Sequence, residues 1–482
     1  MKPVCSNRMA RGVLVAAAAV LSACAGLAPN VEPAGVPAAA APVAWQAPLP
    51  HDGQRTELAR WWQQFNDPVL SVLIEAAQSV SPSVAAARSR IEQSRAARVA
   101  AQAALGPTLD ANASASRGRQ DLNAPLGTSA SVGLQAGWEV DVFGANRAGA
   151  EAARARLEGA SAGWHEARVA VAAEVAGQYT ALRSCEAQLA QTGLDAASRA
   201  ETSRLTELSA KAGFQAPANA ALARASAAQG NSLLTQQRAQ CELAVKALVA
   251  LTGLDEPALR ARLADGSARL PQPAQIAIAR VPADALAQRP DLYSAAREVL
   301  AASADVSQSQ ARRYPRISLG GSIGAARFSS GAGTLDGTVW SLGPVTVSLP
   351  LFDGGARRAN VDAARARHTE AGAAYAGKLR GAVREVEEAL VTLQSTADRG
   401  TDAQVATDGF GASYVAVQAR YQGGLASLFE LEDARRTAVQ AQSALIELQR
   451  ERVAAWIALY RALGGGWSAA EMQAGGGAAP EK

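Results

Sequence analysis

The chain is written twice. Arg154 in one alanine-rich run matches Arg365 in another at a shift of 365 − 154 = 211 residues, and the same shift carries Gly144 to Gly355, Arg147 to Arg358, Gly213 to Gly424, Ala223-Arg224 to Ala434-Arg435 and Ala247-Leu248 to Ala458-Leu459. A register held without a gap over about a hundred residues, with glycines matching at turns, marks an internal duplication, so whatever one half folds into the other must repeat. Each copy opens on one kind of junction: Trp138-Glu139-Val140-Asp141-Val142-Phe143-Gly144 in the first, and Ser348-Leu349-Pro350-Leu351-Phe352-Asp353-Gly354-Gly355 in the second. An extended segment ends at glycine, which supplies backbone freedom, and is followed by Ala- and Arg-rich chain of high helix propensity. A strand therefore feeds directly into a long helix, twice.

No composition break separates the halves, so the 482 residues read as one architecture built twice. Apolar residues make up 49% but aromatics only 5%, with alanine dominant. Helices of that composition pack closely through small side chains, as in long bundles.

Residues 69 to 104 read as helix interrupted at Ser81-Pro82, where proline restarts a first turn, and Leu105-Gly106-Pro107 ends it. Residues 108–119 and 128–143 alternate small polar and apolar side chains around a polar turn, a β-hairpin; its counterpart runs 317–328 and 338–352 around Ser329 to Gly333. Helical runs cover about 145–211 and 218–252, then 356–421 and 428–463, each pair turning at a glycine-containing tip around Gly213 or Gly424. At 1.5 Å per residue the longer ones reach roughly 100 Å. Helix is also read from Asp284 to Arg313, and the cluster Trp61-Trp62 with Phe65 reads as the lid of a hydrophobic core.

The expected divisions are a signal peptide 1–23, an extended N-terminal segment 24–68, a first repeat 69–254, a proline-broken linker 255–283, a second repeat 284–464 and a weakly ordered tail 465–482. Lys2, Arg8 and Arg11 precede an apolar run from Gly12 to Val20, and Leu21-Ser22-Ala23-Cys24 fits a lipoprotein signal box, so the mature chain is expected to begin at a lipidated Cys24; an ordinary cysteine after a plain signal peptide is the alternative. Removing residues 1–23 takes away three basic residues and no acidic ones, leaving 47 − 3 = 44 positive against 43 negative, with no basic footprint for nucleic acid. After the signal no run is apolar enough for a membrane-crossing helix, so any crossing must use the strands; four strands alone leave open edges in lipid, and closure requires other copies of the chain.

Cys185 and Cys241 lie equally far from Gly213 on either side, at one level of an antiparallel helical hairpin, which favours a disulfide over two separate thiols. His51, His165 and His368 are isolated, and no nucleophile elbow or phosphate loop occurs, so no catalytic residue, metal or cofactor is expected. Around the second tip stand Tyr421, Glu430, Glu432 and Asp433. Glu430 and Asp433 are three apart and share a helix face. They are either acids favoured at a helix start by its dipole or, once several chains assemble, rings of carboxylate at a constriction.

Together these features resemble the TolC family of outer-membrane efflux proteins, in particular its lipoprotein branch of OprM and NodT type. The likeness rests on the box ending at Cys24, Trp61-Trp62 to Pro68, Trp138 to Gly144, Leu349 to Gly355 and the tips at Gly213 and Gly424. It implies a mainly α chain with a membrane β-barrel: a homotrimer closing twelve strands into one barrel in the outer membrane, continued by an α-helical barrel across the periplasm. It also implies a passive exit duct for small molecules or drugs, working with a periplasmic adaptor and an inner-membrane pump of the resistance-nodulation-division type. Residue by residue, Tyr421 matches the family's gating tyrosine and Glu430 and Asp433 its acidic ring positions, whereas Ala426 and Asn219 stand where TolC has a gating arginine and aspartate, so another set of contacts is expected to hold this gate. Two alternatives remain: a duct for type I protein secretion, and a lipid-anchored coiled-coil spacer of the envelope, which would have no use for strands. Copper or silver export is disfavoured, since Met472 is the one methionine left in the mature chain.

Overall fold

In the computed structural model the described residues are 45–46, 62, 65–119, 126–272, 286–331 and 333–467. The signal peptide, Cys24, Trp61 and most of the 24–68 segment, the end of the linker and residues 468–482 lie outside them. In chain order the elements are α1 (Pro68–Val80), α2 (Pro82–Ala103), β1 (Thr108–Gly118), β2 (Gly127–Val140), α3 (Ala145–Lys211), α4 (Pro217–Thr252), α5 (Glu256–Leu263), α6 (Pro290–Ala311), β3 (Arg316–Ser330), β4 (Gly333–Ser348), α7 (Ala356–Gln422) and α8 (Leu428–Ala462). The duplication survives in the elements: α2 and α6 both have 22 residues and open on proline, and α3 and α7 both have 67.

They form two compact units. One, Ile91–Ala160 with Ala295–Tyr375, holds an antiparallel sheet in the order β1-β2-β3-β4. Residues paired across strands share a face, and alternate residues fall on opposite faces. One face carries Asn112, Ser114 and Ser116 against Gln135, Ser131 and Ser129, with hydroxyl pairs Ser114–Ser131 at 2.9 Å, Ser116–Ser129 at 2.7 Å and Ser322–Ser341 at 2.8 Å. The other carries Val132, Leu134, Ile323, Trp340 and Leu342, all exposed in the single chain. On the polar face Gly133 pairs with Gly324 so closely that a Cβ on Gly324 would stand 2.5 Å from the Val132 carbonyl oxygen. Below the sheet, α3 meets α6 through Ala152, Ala155 and Ala301, contact that only small side chains permit.

Two strands stop earlier than their alternation suggests. β2 ends at Val140 because Asp141 turns to accept the backbone N–H groups of Asn146 and Arg147 at 3.1 and 2.9 Å, capping α3, while Phe143 stacks on Tyr314. β4 ends at Ser348, the partner of the first residue of β3, and Asp353 then accepts from the N–H groups of Gly355 and Arg357. β4 also begins at Gly333, so the second hairpin turns more tightly than the sequence suggests.

The other unit, Ala39–Arg90 with Ser161–Ser294 and Ala376–Lys482, contains the main core: Leu70, Leu73 and Ile74 of α1, Val175 and Tyr179 of α3, Leu248 of α4, Val386 and Leu390 of α7 and Trp456 and Leu459 of α8. Trp62 and Phe65 pack on it, Trp62 standing edge-on to Tyr460 at 4.7 Å. Residues 256–263, expected as linker, form a short helix because Asp255 caps it and Leu259 and Leu263 bury into this core. The tail expected to be loose from residue 465 is packed as far as Trp467, which is buried and meets Tyr293 edge-on at 5.0 Å. Cys185 and Cys241 are joined as a disulfide between α3 and α4, with Cα atoms 5.5 Å apart. Among the described residues no single helix is long and apolar enough to cross a membrane.

Candidate functional site

Both helical hairpins turn in the same way. Gly213 and Gly424 have φ of +80° and +74°, and the following N–H groups reach back five residues, Phe214 to Ser209 at 2.9 Å and Leu425 to Arg420 at 2.7 Å. That is the left-handed glycine termination which satisfies the last carbonyls of a helix, and only glycine adopts it without strain. The helices that restart differ. α4 opens on Pro217 with no side-chain cap, whereas α8 opens with a capping box. Ser427 Oγ accepts the Glu430 N–H at 3.2 Å, and the Glu430 carboxylate accepts the Ser427 N–H at 3.3 Å.

The structure thus gives Glu430 a local partner, with Arg420 at 3.9 Å, and pairs the exposed Asp433 with Arg436. Asn219 donates to Gln215 within its own hairpin at 2.9 Å. Tyr421 reaches across hairpins: its hydroxyl lies 2.9 Å from that of Thr206 on α3. These four residues lie at the tips of the two hairpins but do not converge on one point.

What does converge lies a few turns back from the tip. Arg435 of α8 is 1% exposed, donating to Thr202 of α3 at 2.8 Å and pairing with Glu432. Glu432 also accepts from Ser226 of α4 at 2.8 Å and meets Arg199 of α3 at 3.5 Å, while Arg199 pairs with the buried Asp195 at 2.8 Å. Tyr414 of α7 adds its hydroxyl, 2.7 Å from Ser198 and 3.5 Å from Arg435. Two guanidinium groups and two carboxylates, nearly removed from water, tie α3 and α4 to α7 and α8. Beside them Ala223, Leu428 and Leu431 form a small apolar cluster with Tyr414, Val417 and Tyr421 packed against it.

Sequence reasoning misses Arg199, Asp195, Thr202 and Ser226, and it notes Glu432 and Arg435 without this role. A signal is present: Leu428, Leu431 and Arg435 follow the three-and-four spacing of one buried face, so a guanidinium falls on an apolar stripe, where it must be paired. Its repeat counterpart, Arg224, is solvent-facing and pairs with Glu207. The duplication therefore conceals the difference.

A second charged cluster sits at the start of α6. Arg289 donates to both Asp291 oxygens at 3.0 and 2.8 Å, to Glu385 at 2.8 Å and to the Ala462 carbonyl at 2.7 Å. Burial pushes the Asp291 carboxyl upward, but the Arg289 hydrogen bonds and charge outweigh it and hold it below the ordinary 3.8. Glu166 beside it is raised, by burial first and then by the Asp291 charge. This cluster clamps the end of α8 to the start of α6; it tethers elements and reaches no tip.

The profile described as "Outer membrane efflux protein" matches residues 73–254 and 281–465, one segment in each half. The solvent efflux pump outer membrane protein SrpC of Pseudomonas putida is 29% identical over 458 residues, covering 90% of this chain and 94% of that protein. The pyoverdine export outer membrane protein OpmQ of Pseudomonas putida is 30% identical over 448 residues, covering 89% and 93%. Among solved structures the outer-membrane channel OprN superposes with a TM-score of 0.79 at 27% identity, covering 89% of this chain and 98% of that one.

Proposed function

The chain belongs to the outer membrane efflux protein family, and from that premise we propose that three copies close their strands into one twelve-stranded barrel, lipid-anchored at Cys24 and continued into the periplasm by the paired long helices. It is an outer-membrane efflux channel. The observation that carries the closed-barrel reading is the sheet: β1 and β4 each have one unpaired edge, one face is mostly polar although Leu335 and Val339 lie on it, and the other carries the apolar band of Val132, Leu134, Ile323, Trp340 and Leu342. Unpaired backbone groups are not tolerated in hydrocarbon, so the edges need partners, and the two faces suit lipid outside and water within. Small molecules delivered by a periplasmic adaptor and an inner-membrane pump of the resistance-nodulation-division type would leave through the polar bore, the duct itself doing no chemistry. Relatives named for solvent and pyoverdine export support a small-molecule cargo over a secreted protein.

The buried network of Arg199, Asp195, Glu432 and Arg435 is the contact that holds the second hairpin against the first, with Tyr421–Thr206 and Tyr414–Ser198 as flanking bonds; it takes the place of a gate built on Ala426 and Asn219. Glu430 and Asp433 lie outward of it, as helix-start acids that would stand around the axis of a trimer. The test of the duct is native mass spectrometry of gently extracted protein together with single-channel recording in planar bilayers. Trimers that form discrete pores are expected; a monomer, or a trimer without conductance under any voltage, overturns the reading.

A further inference from the structure

The apolar face of the sheet ends in cations on the side away from the helices. Arg117 of β1 pairs with Thr128 of β2, which pairs with Ser329 of β3; two residues lower, Ala130 of β2 pairs with Arg327 of β3. Side-by-side partners share a face, so Arg117 and Arg327 stand on the apolar face just beyond Val132 and Ile323, with only Thr128 and Ala130 between them. Strand spacing of about 4.8 Å and a rise of about 3.3 Å per residue put their Cα atoms roughly 12 Å apart. Both side chains are exposed, and among the described residues neither makes an ion pair or hydrogen bond, although Asp336 of β4 lies directly opposite Arg327. Hydroxyls accompany them: Thr128, and the Ser329–Thr334 pair at 3.1 Å. Immediately below is a shallow hollow of about 500 Å³, with Ala130, Val132 and Ala325 among its floor and Arg327, Asp336 and Thr338 at its edge.

A guanidinium at the rim of an apolar band is positioned for phosphate, its planar N–H fork matching phosphate oxygens, while the band beneath it takes acyl chains. Here two such groups are separated by small residues that leave the space above them open. We propose that Arg117 and Arg327 form a clamp for the phosphorylated glycolipid of the outer leaflet of the outer membrane, each arginine meeting one of two phosphates carried at opposite ends of its disaccharide, with an acyl chain lying in the hollow. The proposal rests on the barrel reading above, which puts this face toward lipid and the hairpin turns toward the outside. Asp336 subtracts one charge from the shelf and steers the phosphate toward the side of Arg327 that faces Ala130.

The test uses the full-length protein extracted in mild detergent and native mass spectrometry with added rough lipopolysaccharide or its dephosphorylated form. Retained glycolipid is expected to fall roughly fivefold in Arg117→Gln or Arg327→Gln and on the order of thirtyfold in the double variant, since each arginine near an anionic lipid surface is worth about that much. Arg316→Gln, on the polar face, should leave retention unchanged. Equal retention by the double variant, or equal retention of the dephosphorylated glycolipid by the parent, overturns the clamp. Trp340, on the same face and 71% exposed, separates the two claims. Quenching of its fluorescence by brominated lipid is expected whether or not the clamp exists, and its absence refutes the barrel reading itself.

Discussion

Arg435 shows how a single side chain can join two helical hairpins. At 1% exposure it survives only because Glu432, Thr202 and Tyr414 surround it, and removing one partner of a buried ion pair strands the other charge. Glu432→Gln is therefore expected to cost about 3 kcal/mol of local stability and, in planar bilayers, to raise open probability several-fold. An unchanged open probability in a correctly assembled trimer would remove this network from the gate. The amide variant Glu430→Gln with Asp433→Asn addresses the other acids: weaker cation preference and weaker block by multivalent cations would place them on the conduction path, and unchanged selectivity would leave them as helix-start acids. Asp291 gives the pH dependence. Its folded-state value lies below the ordinary 3.8, so its contribution is fully present above that pH and is lost as pH falls through the depressed value. Thermal melts should show an acid limb that becomes shallower in Asp291→Asn.

At the scale of elements the two halves share lengths and differ in how they are fastened. α3 and α4 carry the Cys185–Cys241 disulfide; the counterparts of these cysteines in the second half, Thr396 and Arg452, instead line a groove between α7 and α8. Linking residues separated by 56 positions restricts the unfolded chain by about 4 kcal/mol in the loop-entropy account. Peptide mapping without reduction should recover the two cysteines linked, and a Cys185→Ser, Cys241→Ser variant should melt earlier, with the first hairpin losing amide protection before the second. In the sheet, Gly324→Ala must push a methyl to within 2.5 Å of a neighbouring carbonyl and 2.7 Å of Gly133 Cα. Strands β2 and β3 cannot both hold their register there, and heat-resistant oligomer on gels is expected to drop sharply relative to Ala325→Gly, a control on the opposite face.

For the whole molecule, the lipid anchor and the assembly are separable. Metabolic labelling with radioactive palmitate should mark the parent protein and not Cys24→Ser, while trimer formation, which depends on the strand edges, is expected to persist in that variant. Loss of trimer together with the label would show that assembly depends on the anchor.

Much of this architecture was legible in the chain. The constant shift between the halves, the glycines at both tips, the proline that opens α2 and the alternation in β1 and β2 are local signals, and local backbone preference is enough to place most helices, turns and strands within a few residues. Where local signals competed with distant partners they misled: Asp141 lies in a strand-like stretch, and the strand-like stretch before Asp353 runs on to Phe352, yet the sheet ends earlier at both and the two aspartates cap helices, while the proline-broken residues after Asp255 form a helix because Leu259 and Leu263 find a core. The tip was readable only in part. Its acids and Tyr421 could be named from sequence, and the Ser427–Glu430 capping box and the Asp433–Arg436 pair are local spacings on one helix; the network behind them instead depends on which faces of four helices meet, its bonds Arg435–Thr202 and Glu432–Ser226 joining residues more than two hundred positions apart. Which charge is buried, and with whom, is decided by packing alone, because the cost of hiding a guanidinium is set by the partners that tertiary structure brings to it.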